Sequence, residues 1–205
     1  MAAPHVARAT IARLPRYLAY LEGLGEDATT VSSQQLADGA AVKDAIVRRD
    51  MSDLGVSGTR GVGYDVQGLV TRFRTELGFG AARRVVIIGA GNLGHALANH
   101  HGFEHAGFEV VGCYDTDPVK LGRVYNGIPV KGMESLVDDI VAADVTMAII
   151  TVPGSAAQEI LDGLVTAGVR SILSFAPTTL THPPEVDVRH VDLATELQVL
   201  AYFAK

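Results

Sequence analysis

The stretch RVVIIGAGNLG, residues 84–94, decides the fold of this 205-residue chain. Four apolar residues lead into a Gly-x-Gly-x-x-Gly motif, and a helix-forming segment follows. In such a strand, turn and helix the first glycine permits the tight turn, the second admits a pyrophosphate and the third lets helix and strand pack closely. The helix N-terminus then offers free N–H groups to the phosphates. The pattern predicts a dinucleotide-binding loop, with a bare glycine turn as the alternative. The predicted ligand-binding residues are Gly89, Ala90, Gly91, Asn92, Leu93 and Gly94.

A second predicted strand, residues 108–114, ends in Asp115, which lies 21 positions beyond Gly94. This is the spacing expected for a carboxylate that binds the adenosine ribose of a dinucleotide. The negative charge of Asp115 would repel a 2′-phosphate, and residues 116–118 place no Arg beside it, so the sequence favours NAD(H) over NADP(H). The alternative is that Asp115 only caps the turn of an Asp-x-Asp-Pro sequence.

The residues after Asp115 alternate between apolar runs and helix-forming segments. The run at 145–151 is nearly continuous, as a strand covered on both faces should be. A helix at 155–167 and a strand at 171–175 follow, so we expect an α/β domain with a Rossmann-like, doubly wound parallel sheet. Ligands bind beyond the carboxyl ends of such strands. We therefore expect the loops that follow these strands to flank the nicotinamide, through Thr151, Pro153, Ala176 and Pro177.

The N-terminal part predicts three short helices followed by a glycine-rich hairpin, the arrangement of a winged helix-turn-helix. Arg48 and Arg49 lie on the third helix, and Arg60 lies near the hairpin tip. Residues 1–84 carry 11 Lys and Arg against 9 Asp and Glu, whereas residues 85–205 carry 6 against 14. A less acidic, arginine-bearing N-terminal part suits nucleic-acid contact, and a solvated arginine face is the alternative.

The sequence offers no recognisable catalytic set, so we expect a binding protein and not an enzyme. The Tyr-x-x-x-Lys pair of short-chain reductases is absent. His100, His101 and His105 have no Cys or carboxylate that completes a zinc set, so no metal is expected. Two other functions stay open: a small NAD-dependent reductase with its substrate at residues 151–153, and a nucleotide-binding subunit whose N-terminal part holds a protein partner.

The last predicted helix, residues 193–203, begins after a capping Asp192 and is apolar around most of its circumference. We expect this helix to dock in an interface, on its own subunit or on a partner's. Cys113 is the single cysteine, so no internal disulfide can form. Since no uninterrupted apolar run approaches the about 18 residues of a membrane span, we expect a cytoplasmic protein without membrane contact.

Six segments of the sequence together resemble the Rex family of redox-sensing transcriptional repressors. They are VSS (31–33), VRRDMS (47–52), TRGVGYDV (59–66), GAGNLG (89–94), FAP (175–177) and VDL (191–193). The resemblance, which runs from about Thr10 to Phe203, implies a homodimer whose winged-helix domains bind palindromic operator DNA and whose Rossmann-like domains bind NADH or NAD⁺. It also implies that NADH releases the DNA and that the C-terminal helix is exchanged between subunits. By position, the DNA-binding residues would be Arg48, Arg49 and Ser52 on the recognition helix and Arg60 in the wing.

The resemblance also predicts three domains and exposes departures from the family pattern. The domains are a winged-helix DNA-binding domain (1–80), a Rossmann-like NAD(H)-binding domain (81–190) and a swapped dimerisation helix (191–205). A carboxylate, Asp53, begins the pair that is usually aromatic, and we expect it to weaken DNA binding near the phosphates. The other departures are His100 in place of a tyrosine, Ala19 in place of a basic residue and Lys43 in place of a capping threonine. We expect them to alter the start of the third helix and any coupling through Asp192.

Overall fold

The computed structural model describes residues 6–25, 27–80 and 82–204. By its internal contacts the chain divides into two compact units, Met1–Ala81 and Ala82–Lys205. The predicted domain limits at residues 1, 81 and 205 lie outside the described residues. Among the described residues, no helix combines the length and the apolar character needed to cross a bilayer.

The N-terminal unit is a small helical domain with a short two-stranded sheet. Its elements are α1 (Arg8–Glu22), β1 (Thr30–Val31), α2 (Ser33–Gly39), α3 (Asp44–Asp53), β2 (Tyr64–Asp65) and α4 (Val66–Glu76). The strands β1 and β2 pair antiparallel. Val47 and Met51 lie four residues apart on α3 and are buried, whereas Arg48 and Arg49 are exposed. This unit confirms the predicted winged helix-turn-helix, with an exposed arginine face on its third helix.

The wing is a tight hairpin between α3 and β2. The backbone N–H of Thr59 donates to the carbonyl of Gly63 at 2.8 Å, and that of Gly63 donates to the carbonyl of Thr59 at 2.9 Å. Gly63 has a φ of +111°, and a Cβ there would lie 2.4 Å from the carbonyl oxygen of Val31 on β1. Only glycine therefore allows the hairpin to pass so close to β1. Arg60 is exposed at the tip.

The C-terminal unit is a parallel sheet covered by helices. Its elements are β3 (Arg83–Ile88), α5 (Asn92–Ala98), α6 (Gly102–His105), β4 (Phe108–Asp115), β5 (Val124–Tyr125), β6 (Ile128–Gly132), α7 (Leu136–Ala142), β7 (Met147–Ile150), α8 (Gly154–Thr166), β8 (Ser171–Ser174), β9 (Asp187–His190) and α9 (Leu193–Phe203). The strand order is β5-β6-β4-β3-β7-β8-β9. All neighbours pair parallel except β5 and β6, which form an antiparallel hairpin.

This sheet confirms the predicted Rossmann-like topology. The central strand β3 has β4 on one side and β7 on the other, so the chain switches direction across the sheet at the carboxyl end of β3. Such a switch point opens a crevice in which ligands bind. The edge strand β9 has no counterpart among the strands that the sequence predicts, because its residues are mostly exposed and carry no clear apolar alternation.

The final helix, α9, exposes its apolar residues. Every residue of α9 is exposed, including Leu197 at 66%, Leu200 at 63% and Phe203 at 74%. Asp192 caps the helix as predicted, since its carboxylate accepts the backbone N–H of Ala194 at 2.9 Å. The predicted docking of α9 in an interface stays a prediction.

Candidate dinucleotide site and nucleic-acid surface

The three glycines of the motif that follows β3 are needed for different structural reasons. Gly89 has a φ of +105°, and a Cβ there would lie 2.8 Å from the carbonyl oxygen of Thr151. A Cβ on Gly94 would lie 1.8 Å from the carbonyl oxygen of Gly89, so α5 could not pack against the turn. Gly91 instead faces open space, since no atom lies within 4 Å of the place that a Cβ would occupy. Gly91 is therefore the position at which a phosphate could approach the backbone.

Hydrogen bonds hold both the N–H and the carbonyl group of Ala90. The backbone N–H of Ala90 donates to Oδ2 of Asp115 at 2.7 Å, and the hydroxyl of Tyr125 donates to the carbonyl of Ala90 at 3.1 Å. The hydroxyl of Thr151 donates to the carbonyl of Gly89 at 2.8 Å. These bonds come from β4, β5 and the end of β7, so three strands of one sheet hold the loop in place.

Asp115 is a nearly buried carboxylate with three donors. Its Oδ1 accepts the N–H of Asp117 at 2.8 Å, and its Oδ2 accepts from Ala90 and from Nζ of Lys120, the latter at 2.9 Å. Burial by itself would raise the pKa of Asp115, but these hydrogen bonds and the charge of Lys120 outweigh it and lower the pKa below its usual value. Asp115 therefore caps its turn and is ionised at neutral pH, with a lone pair left for a further donor.

A cavity of about 430 Å³ opens between these residues, at the carboxyl ends of β3, β4 and β7. Five predicted residues line it: Gly89, Gly91, Asp115, Thr151 and Pro153. The lining also includes four apolar residues, Met133, Val152, Ala156 and Ile160. Of the remaining predicted residues, Asn92, Leu93 and Gly94 form the start of α5, while Ala90 is a buried residue of the loop itself.

Two predicted residues lie away from this lining. Ala176 is completely buried in the apolar core, and its N–H donates to the hydroxyl of Ser174 at 3.3 Å. Pro177 is exposed on the loop after β8.

Sequence reasoning missed Lys120 and Tyr125. Residues 116–118 contain no arginine that could pair with Asp115. The turn formed by residues 117–120, however, brings the ammonium group of Lys120 into hydrogen-bond contact with Asp115. A basic residue one turn beyond the acid is a signal that could have revealed this partner.

In the N-terminal unit, a buried carboxylate fastens α3 to α1. Asp50 is fully buried on α3, and Arg13 donates to both its oxygens at 2.6 Å. The hydroxyls of Tyr17 and Thr10 also donate to it, at 2.7 and 3.0 Å. Burial would raise the pKa of Asp50, but these donors outweigh it and lower the pKa. The three partners share one stripe of α1, at positions 10, 13 and 17. The clamp therefore fixes the orientation of α3 and of the arginines on its outer face.

The predicted DNA-binding residues are all exposed. Arg48 forms an ion pair with Asp44 one turn earlier on α3, with an N···O distance of 2.5 Å. Arg49 lines a surface cavity of about 260 Å³ together with Arg13, Thr10 and Asp53. Ser52 is exposed on the last turn of α3, and Arg60 is exposed in the wing. The structure thus brings Arg48, Arg49 and Ser52 together on one helix.

The departures from the family pattern have defined surroundings. The carboxylate of Asp53 lies 3.1 Å from the hydroxyl of Thr10, whose single proton it shares with Asp50, and it lines a cavity with Arg49. The ring of His100 packs against Phe103, with 5.1 Å between ring centroids. Ala19 is exposed on α1. Lys43 is the N-cap residue of α3 and forms no side-chain capping bond there.

Comparisons with known proteins agree on one family. A family described as a CoA binding domain matches residues 81–178, and one described as a putative DNA-binding protein N-terminus matches residues 5–52. The redox-sensing transcriptional repressor Rex of Streptomyces avermitilis is 50% identical over 198 residues, which cover 96% of this chain and 79% of that protein. Rex of Brevibacillus brevis is 39% identical over 199 residues, covering 97% of this chain and 96% of that protein.

Solved structures agree with the sequence comparisons. The chain is similar to RSP, a Rex-family repressor, in complex with β-NAD⁺ and operator DNA, with a TM-score of 0.89 and 35% identity over 97% of this chain and 92% of that one. It is also similar to RSP in complex with β-NADH, with a TM-score of 0.87 and 33% identity over 98% of this chain and 95% of that one.

Proposed function

The chain belongs to the Rex family of redox-sensing transcriptional repressors, and we propose that NADH bound to its C-terminal unit releases operator DNA from its N-terminal unit. It is a regulator that responds to NADH and NAD⁺, and not an enzyme. As a DNA-binding regulator it would act in the cytoplasm, where the bacterial chromosome lies.

The cavity beside the glycine-rich loop is the observation that carries this proposal. Its polar side presents Gly91 and Asp115, which suit a pyrophosphate and a ribose. Its apolar lining residues, which include Met133 and Ile160, suit an adenine ring. The sequence alone predicts Thr151 and Pro153 beside the nicotinamide, but because they share this cavity with Asp115, we propose instead that they contact the adenosine half of the ligand. The nicotinamide would then extend past Gly91, toward the loop that carries Ala176 and Pro177.

The response to redox state would follow from the charge of the nicotinamide ring. NAD⁺ carries a positive charge on this ring and NADH does not, so a partly apolar pocket favours the reduced ring. A ligand shifts a conformational equilibrium only by its difference in affinity for the two states. A coupling of about 1–3 kcal/mol is typical, which changes DNA affinity by about 5–150-fold.

DNA would bind the exposed face of α3 and the wing. We propose that Arg48 and Arg49 contact bases or phosphates in the major groove, that Ser52 contacts the backbone, and that Arg60 reaches the backbone or a minor groove. Arg48 would exchange its ion pair with Asp44 for a phosphate. The Asp50 clamp supports this role because it holds the helix in a fixed orientation.

The homodimer would form through α9. Its exposed apolar side chains are worth about 1.5–3 kcal/mol each when fully buried, so a second copy that covers them would gain considerable stability. Exchange of α9 between two subunits would supply that cover, and a two-fold dimer fits a palindromic operator.

A DNA-binding titration tests the proposal. A labelled palindromic probe is titrated with the full chain at fixed salt, without ligand, with saturating NAD⁺ and with saturating NADH. We expect salt-dependent binding that NADH weakens and NAD⁺ does not. Unchanged DNA affinity with NADH bound would refute the switch, and steady oxidation of NADH with a carbonyl substrate would favour a reductase instead.

A further inference from the structure

The cavity beside the glycine-rich loop is lined by a positively charged side chain, Lys120, as well as by the carboxylate of Asp115. Nζ of Lys120 lies 2.9 Å from Oδ2 of Asp115 and 3.8 Å from Oδ2 of Asp117. The side chain of Lys120 is 28% exposed, against 9% for Asp115, and it lines the same cavity. The ammonium group is therefore the more accessible member of the pair.

The turn after β4 fixes Lys120 in this position. The backbone N–H of Lys120 donates to the carbonyl of Asp117 at 2.9 Å, and the N–H of Val119 donates to the Asp117 carboxylate at 3.0 Å. Asp115 cannot move away from the cation, because Ala90 and Asp117 hold its two oxygens. A ligand at the ribose position would consequently meet a carboxylate whose charge is already compensated.

This compensation changes the expected selectivity. An acid at this position excludes a 2′-phosphate mainly by charge repulsion. With an ammonium group 2.9 Å from the carboxylate, much of that repulsion is offset, and the ammonium can itself donate to a phosphate oxygen. Asp117 limits the effect because its own carboxylate lies 3.8 Å from the same ammonium.

We propose that Lys120 sets how strongly the site discriminates between the 2′-hydroxyl of NADH and the 2′-phosphate of NADPH. With Lys120 present, NADPH binds more weakly than NADH but measurably. Without it, the uncompensated Asp115 and Asp117 exclude NADPH. The inference rests on the proposed function, since it concerns the same cavity and ligand class.

The test measures dissociation constants for NADH and NADPH by the fluorescence of the reduced nicotinamide, on the full-length chain. Lys120→Met removes the charge, Lys120→Arg keeps it, and Lys131→Met is the matched control. Lys131 forms a similar ion pair, 2.8 Å from Asp139, but lines a different cavity. Thermal unfolding of each variant shows that the fold is kept.

We expect Lys120→Met to raise the dissociation constant of NADPH at least about 10-fold more than that of NADH. This factor corresponds to the loss of one hydrogen bond to a charged group. Lys120→Arg should keep the wild-type ratio of the two constants within about 3-fold, and Lys131→Met should change neither constant. Two results would overturn the inference while leaving the proposed function intact. One is a Lys120→Met variant in which the ratio of the NADPH and NADH dissociation constants equals that of the wild type. The other is a wild type that binds no NADPH at millimolar concentration. Absence of NADH binding to the wild type would overturn both.

Discussion

The clamp between α1 and α3 gives the most quantitative prediction, through the substitution Asp50→Asn. Asp50 is fully buried, and it accepts two hydrogen bonds from Arg13 and one each from Tyr17 and Thr10. Removing one member of a buried ion pair typically costs about 3–5 kcal/mol, because the other charge is left unpaired. Since the side chain of Arg13 is 25% exposed, water can solvate it in part. We therefore expect a loss near the lower end of that range.

The assay is urea unfolding of the full-length chain, with hydrogen exchange of the α1 and α3 amides to assign the loss to the N-terminal unit. Asp44→Asn is the control on the same helix, because its exposed i,i+4 pair with Arg48 should contribute only about 0.3–0.5 kcal/mol. Replacing both Arg13 and Asp50 by apolar residues should cost less than the sum of the single changes. A loss below about 0.5 kcal/mol in Asp50→Asn would refute the clamp, since that is the size expected for a surface substitution.

The pH dependence of the same contact has a definite sign. The pKa of Asp50 is lowered in the folded state, so its stabilising contribution is fully present above the unfolded value near 3.8. That contribution is lost as the pH falls through the lower, folded pKa. In wild type, acid should therefore loosen α1 and α3, and Asp50→Asn should remove this part of the acid sensitivity. Equal acid sensitivity in both proteins would contradict the assignment.

Three further predictions concern the two sites and the dimer. Tyr125→Phe deletes the hydroxyl that donates to the Ala90 carbonyl at 3.1 Å. We expect the dissociation constant of NADH, measured by fluorescence titration, to rise about 3- to 10-fold, which is the equivalent of one neutral hydrogen bond. Arg49→Ala should weaken DNA binding and reduce the slope of log K against log salt by about one, whereas Arg74→Ala on α4 should not, as followed by anisotropy. Leu197→Glu on α9 should convert the proposed dimer to monomer in light scattering, and a dimer mass that the substitution leaves unchanged would exclude α9 from the interface.

The sequence predicts local features well and long-range neighbours poorly. The glycine-rich loop and the cap at Asp192 depend on spacings within a few residues, and both occur as expected. Tyr125 reaches Ala90 across 35 positions, through the β5–β6 hairpin, and no local pattern reveals this contact. The sequence predicts that Ala176 lies near the ligand because it follows a strand, and this stays a prediction; the burial of Ala176 in the core cluster is what the sequence did not reveal. Spacing fixes which strand end a residue occupies, whereas packing of the neighbouring helices decides which way its side chain faces.

Both candidate sites are held by a buried carboxylate that accepts several hydrogen bonds, and this limits how NADH binding could change DNA affinity. In each site a buried carboxylate accepts donors from neighbouring elements: Asp50 fixes α3, and Asp115 fixes the peptide of Ala90. The backbone of α3 and the peptide of Ala90 are thus held in place without a ligand, so little binding energy is lost in ordering these two segments. A ligand that found its site already formed could not alter DNA affinity by reshaping that site. The proposed coupling would therefore arise from a difference in how well NADH and NAD⁺ fit two states of the whole protein, and DNA-binding measurements on the full-length chain would detect it.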